Sequence, residues 1–189
     1  MIDQPIMSFK TREEWRKWLA KNHNISDGIW IKVFKKDSQT TSIQPPQALL
    51  EALCYGWIDG QRKGLDANSY LQKYTPRRAK SMWSKINTEH AMGLIKLKKM
   101  TPAGMVEVEK AKADGRWDRA YESPKNTVAP EDFLKELAKD KKAEEFYKTL
   151  NKTNTFAITF RINQAKKAET RELRIKKFVE MLSRNEKLY

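Results

Sequence analysis

Seven prolines and seven glycines punctuate this chain, and their positions limit how long any regular element can run. Proline is tolerated in the first turn of a helix, where the missing N–H has no partner to lose, and glycine is the residue that most readily turns left-handed just past a helix end. Thr11-Arg12-Glu13-Glu14 reads as a capping box, followed by Trp15, Trp18 and Leu19 at helical spacing, with Gly28 beyond the end. Ile29-Trp30-Ile31-Lys32-Val33-Phe34 is β-branched and aromatic, so a strand is predicted there. Pro45-Pro46 opens a second helix with an apolar stripe of Ala48, Leu49, Ala52 and Leu53, and Gly56 stops it. Two short strands follow over 57–62 and 69–74, separated by a turn region at 64–68, and Pro76 closes the second.

Beyond Pro76 a polar connector leads to Asn87, the expected N-cap of a helix to about Lys99. Thr101-Pro102 repeats the signal of a cap followed by proline and predicts a helix through Ala113, ended by Gly115. Residues 116–129 hold Trp117, Tyr121, Pro124 and Asn126 without helical period and read as a linker. From Pro130 the pattern gives helices over about 130–139, 141–150, 154–166 and 169–183, the last marked by Ile175, Phe178, Val179 and Leu182. In the third, Phe156, Ile158, Phe160 and Ile162 also alternate as a strand would, but helical neighbours on both sides and the lack of a hairpin partner favour a helix. The expected fold class is α+β: a small sheet of three or four strands packed by helices over 1–122, then a helical module over 123–189.

Thirty-eight Lys and Arg face 24 Asp and Glu, a net charge of +14, which favours anionic partners or else serves a solvated surface. One cysteine, Cys54, excludes an internal disulfide and suits a reducing compartment. Met1–Ser8 has no basic stretch followed by an apolar one, and no window approaches the roughly 20 apolar residues of a membrane span. A cytoplasmic protein without a membrane span is the expectation. Oligomeric state leaves no mark on the sequence.

Signs of catalysis are weak. Cys54 ends a predicted helix, where the negative end of the dipole disfavours a thiolate, so a buried core thiol is expected rather than a nucleophile. Asp59, between Ile58 and Gly60, lacks the second carboxylate that acid–base work calls for and suits a polar partner for a neighbouring Arg. One Cys, two His and scattered carboxylates give no metal-ligand spacing, and no glycine-rich phosphate loop is present, so neither metal nor cofactor is expected.

The segment from Gly60 to Asn87 is the chemical focus. It holds Arg62, Lys63, Lys73, Arg77, Arg78, Lys80 and Lys85 against the single acid Asp66, so it carries +6 of the whole charge. Arg77, Arg78, Lys80, Ser81, Trp83, Ser84 and Asn87 together form a candidate anion site: guanidinium forks, hydroxyls and the amides of an opening helix. The competing reading has the arginines wrapped on Trp83 and paired with Asp59. Alternation along an extended backbone predicts one arginine turned inward and the other toward solvent. Aromatics beside these cations also resemble a platform for single-stranded nucleic acid. The last helix mixes Arg171, Arg174, Lys176 and Lys177 with Glu169, Glu172 and Glu180, a solvated face rather than a basic arm.

Cys54-Tyr55-Gly56-Trp57-Ile58-Asp59-Gly60, Thr75-Pro76-Arg77-Arg78 and Thr101-Pro102-Ala103-Gly104, with Glu14-Trp15 and the Gly28-Ile29-Trp30 strand, resemble the YdeI/OmpD-associated (bacteriocin-protection) family. Ala165-Lys166-Lys167-Ala168-Glu169-Thr170-Arg171, then Ile175 and Met181-Leu182, resemble that family's helical C-terminal module. Tyr55 stands where the family pattern has Phe. The resemblance implies a role in tolerance of bacteriocins or cationic antimicrobial peptides and supplies no catalytic residues; the periplasmic location described for some members conflicts with the leaderless start. A non-catalytic protein with a basic-aromatic anion-binding surface is the first expectation. A nucleic-acid-binding protein using that surface is the second, and an enzyme built on Cys54 and Asp59 the third.

Overall fold

The first helix, α1 (Arg12–Asn22), starts where the capping box places it, with the Thr11 hydroxyl accepting the Glu14 N–H at 3.2 Å. The reciprocal bond goes one residue further back: Glu14 Oε2 accepts the Lys10 N–H at 2.6 Å. This geometry comes from a computed structural model that describes residues 4–189, so the part of the leader reading that rests on Met1, Ile2 and Asp3 lies outside the described residues. The chain divides into two compact units, one ending at Ala120 and the other spanning Tyr121–Tyr189.

In the first unit the strands are β1 (Ile6–Met7), β2 (Ile29–Phe34), β3 (Trp57–Gly64) and β4 (Ser69–Pro76), and the further helices are α2 (Pro45–Cys54), α3 (Lys85–Lys96) and α4 (Pro102–Ala113). The sheet order is β1-β2-β4-β3, with β1 parallel to β2 and the other pairs antiparallel. Strand β1, two residues on an edge, is too short to leave a periodic signal. A register shift between Asp59 and Arg62 bulges β3.

Period-two alternation sorts the strands. Ile29, Ile31, Val33 and Tyr74 turn inward onto Trp15, Leu19, Ala48, Ala52 and Trp57. Their neighbours turn the other way, where the Lys63 and Lys73 amines lie over the Trp30 ring at 5.1 and 5.5 Å. A separate apolar cluster joins α2, α3 and α4 through Leu53, Cys54, Trp83, Ala91, Leu94, Val108 and Ala111.

The second unit is all helical: α5 (Glu131–Leu137), α6 (Lys141–Lys148), α7 (Lys152–Asn163) and α8 (Ala168–Ser183). Together with the mixed sheet this is an α+β chain. The segment that alternated like a strand is α7, capped by the Asn151 side chain on the Asn154 N–H at 3.0 Å. Its alternation is two interleaved i,i+4 pairs. Ile158 and Ile162 enter the core, while Phe156 and Phe160 meet Tyr121 with ring centroids at 6.3 and 5.0 Å. Among the described residues no helix is long and apolar enough to cross a membrane.

Candidate functional site

The basic segment runs off β4, whose last residue is Pro76, into a short turn before α3. Arg77 and Arg78 part company there. Arg77 is buried, its guanidinium carbon 3.6 Å from the Trp83 ring centroid and its Nη1 donating to the Met82 carbonyl at 3.4 Å. Arg78 is exposed, as is Lys80. The turn holding them is closed by its own bonds: Ser81 N–H donates to the Arg78 carbonyl at 2.8 Å, and Ser81 Oγ accepts the Arg78 N–H at 3.1 Å. Arg116 fastens it from α4's far end, donating from Nη1 to the Ser81 carbonyl at 2.8 Å while Asp114 holds its Nε at 2.7 Å. An Arg side chain pinned by a carboxylate is a rigid donor, so the two exposed cations stand on a fixed base.

The other members of the expected site have structural work. Trp83 is 1% exposed, one face under Arg77 and its ring 4.9 Å from Trp117. Ser84, not Asn87, caps α3, which therefore opens three residues earlier than expected; its hydroxyl accepts the Asn87 N–H at 3.2 Å. Asn and Ser cap about equally well, so spacing to the first buried residues, Thr88 and Ala91, chose between them. Asp59 stands exposed on β3. Partial desolvation raises its carboxyl, and the charges of Arg77 and Arg62 oppose that rise. The aromatics read as a base-stacking platform are turned away from solvent: Tyr74 and Trp83 are buried, and the half-buried Tyr70 carries the Arg62 guanidinium 4.5 Å from its ring. A base needs an open ring face to stack on, and these offer little.

What sequence reasoning missed is that Lys63 and Lys73, read only as members of the basic segment, share one outward face of the sheet with Lys32. Lys32 lies 5.0 Å from the Phe34 ring and 3.6 Å from Asp66. The signal was the period-two alternation of β2, β3 and β4, which the sequence reading did not apply to these lysines.

Cys54 closes α2 in full burial, and burial pushes its thiol pKa up while a hydrogen bond from Arg16 pulls the other way. Beside it, buried Glu51 takes Arg16 Nη1 at 2.6 Å and a second guanidinium from Arg12, so its charge is fully engaged. Thiol exchange requires the thiolate and access to it. Cys54 in the native protein is therefore expected to react with an aromatic disulfide reagent at least ~100-fold more slowly than in denaturant, since labelling must wait for local opening. Stoichiometric labelling within seconds under native conditions would show that the site is accessible.

The Cys54 carbonyl explains another sequence feature. Thr101, expected to cap α4 with its side chain, instead donates Oγ1 to that carbonyl at 2.6 Å, and its N–H reaches the same oxygen at 3.1 Å. Thr101-Pro102-Ala103-Gly104 is thus the joint between α2 and α4. Gly56, left-handed at φ 73°, is part of it: a Cβ there would come within 3.1 Å of the Ala103 carbonyl oxygen. Among the described residues no group of three His, Cys, Asp or Glu side chains gathers as metal ligands would.

Two family models match. Residues 7–107, which contain the Gly-Trp-Ile-Asp-Gly and Thr-Pro-Arg-Arg segments, match a domain described as "Domain of unknown function (DUF8412)". Residues 126–185 match the domain described as "Bacteriocin-protection, YdeI or OmpD-Associated", so the resemblance read in the sequence is confirmed over the helical region. No curated protein and no solved structure matches the chain.

Proposed function

Since this chain belongs to the DUF8412 family and carries a bacteriocin-protection, YdeI or OmpD-associated domain, we propose that it is a non-catalytic protein of bacteriocin or cationic-peptide tolerance that works by binding an anionic ligand or polyanion. The observation that carries this reading is the basic turn of Arg78 and Lys80, two exposed cations on a backbone held by Ser81 and Arg116. Because the backbone that carries the two cations is already held, little backbone freedom is lost on meeting an anion, which is how preorganisation adds affinity. Arg77 serves as its support: stacked on Trp83, it fixes the chain entering the turn. The net charge of +14 adds long-range attraction for polyanions. Cytoplasmic action is part of the proposal, supported by a single free, buried cysteine.

The test is binding of heparin, long-chain polyphosphate and single-stranded DNA over a salt series. The wild-type protein should bind all three with a steep salt slope and little preference among bases. Arg78→Ala/Lys80→Ala should fold normally, lose about tenfold in affinity at moderate salt, and flatten the slope by roughly 1.5, the share of two phosphate contacts. An unchanged slope would remove the turn from the interface. Strong preference for one DNA sequence over heparin would favour the nucleic-acid reading instead.

A further inference from the structure

The second unit contains a cavity that the basic turn does not explain. It has a volume of about 530 Å³ and lies between α7, α8 and the chain after α8. Its floor is apolar: Phe160 from α7, Phe178 and Met181 from α8, and Leu188. Its edge is cationic, formed by Arg161, Arg174, Lys177 and Arg184.

Local structure makes this wall. After α8 ends at Ser183, Asn185 turns left-handed at φ 57° and sends the chain back. Buried Asn154 then holds the returning backbone, its Oδ1 accepting the N–H groups of Leu188 and Tyr189, both at 3.0 Å, and its Nδ2 donating to the Tyr189 carbonyl at 3.1 Å. Leu188 is thereby fixed as one side of the groove.

The charges on its edge are unequally committed. Glu186 takes Arg184 in a two-pronged contact at 3.1 and 3.3 Å. Arg174 donates to the Arg161 carbonyl, which ties α8 to α7 but leaves its positive charge uncompensated there. Arg161 donates to the Tyr189 hydroxyl at 3.3 Å, a neutral partner. Lys177 is exposed. Three cations thus border an apolar floor whose one acidic lining residue, Glu186, is already engaged.

We infer that this cavity binds a single-chain amphiphilic carboxylate, a free long-chain fatty acid, with its acyl tail on Phe160, Phe178, Met181 and Leu188 and its carboxylate at Arg161, Arg174 and Lys177. The volume lies in the range of small-ligand sites, which are mostly apolar with a few placed polar groups. An apolar tail alone leaves the edge charges unmatched, and a short anion alone leaves the floor wet. A molecule with one tail and one compact negative head satisfies both. Arg is well matched to a carboxylate because its fork donates two parallel hydrogen bonds. This site is independent of the basic turn and of the tolerance role proposed for it.

The experiment is titration of the full chain with laurate, kept below its micellar concentration, by calorimetry and by NMR of protein carrying labelled methionine methyl groups. Dodecyl maltoside and dodecyltrimethylammonium give the same tail with a neutral or cationic head, and acetate gives the head alone. Laurate should bind one to one and move the Met181 methyl resonance, whereas the other three should bind at least ~10-fold more weakly, the worth of one charge-assisted contact. Arg161→Glu/Lys177→Glu, both at exposed positions, should weaken laurate by about tenfold or more while leaving the helical circular dichroism intact, and Lys177→Arg should retain binding. Equal binding of the maltoside would reduce the site to a bare apolar patch and overturn the proposal. So would laurate binding that leaves Met181 unmoved, or acetate competing as well as laurate.

Discussion

Replacing Trp15 by alanine is expected to destabilise the first unit by about 4 kcal/mol, within the range for deleting a fully buried aromatic. Trp15 has no exposed surface and lies at the centre of the aromatic cluster, with Phe9, Trp18, Tyr74 and Trp57 at centroid distances of 5.1, 5.3, 5.6 and 6.3 Å. Three of those partners come from outside α1, Trp57 and Tyr74 on strands and Phe9 on the chain before the helix, so the cavity left behind is walled by groups that cannot move together. The substitution also strips the Ala48 carbonyl of the indole N–H it accepts at 3.0 Å, inside the core. Since whole domains are stable by only about 5–15 kcal/mol, the variant should be close to unfolding at room temperature. All six tryptophans lie before residue 121, so tryptophan fluorescence during urea unfolding reports on this unit alone. A midpoint shifted by less than about 1 kcal/mol equivalent would mean that the site repacks far more easily than its neighbours suggest.

Gly104→Ala should cost about 2–3 kcal/mol, although the same exchange in a helix ordinarily gains close to 1 kcal/mol. A Cβ at Gly104 would overlap the Cys54 carbonyl oxygen and the Met100 sulfur, and would come within 2.8 Å of the Cys54 carbonyl carbon. Met100 can swing aside; the Cys54 backbone cannot, because Thr101 holds that carbonyl with two hydrogen bonds. Helix α4 must then back away from α2, and Val108 and Ala111 lose contact with Leu53 and Cys54. Gly93, in α3, supplies the internal control. Nothing lies within 4 Å of its added Cβ, so Gly93→Ala should stabilise by roughly 0.5–1 kcal/mol. Thermal melting of both variants measures the contrast. Two changes of the same sign would place the α2–α4 approach elsewhere than at Gly104.

Much of the architecture was legible because its signals are local. A cap hydroxyl acts on an amide three residues on, a proline on its own turn, and a left-handed glycine on the residue beside it. Hence Thr11, Pro45, Gly56, Pro102 and Gly115 mark element ends in the sequence, and the strand pair after Gly56 was placed to within two residues at its ends. Cys54 was read as buried from its place on a helix end, and it is.

Tertiary structure alone decided the rest, because each remaining question turns on what lies across the fold from a residue. The sequence pointed to Asn87 as the cap of α3, and the face of α3 that meets Leu53 and Val108 puts the cap at Ser84 instead. Thr101 carries the residue type of a cap yet serves a carbonyl 47 positions away. Arg77 and Arg78 are chemically the same, and only the position of Trp83 makes one a buried support and leaves the other in water. The groove of α7 and α8 had no signature at all, since Arg161, Lys177 and Leu188 meet only when Asn154 draws the chain back. Sequence specified where the backbone turns, because those free energies are settled within a few residues. It did not specify which charges end up beside which apolar surface, because long-range burial settles that.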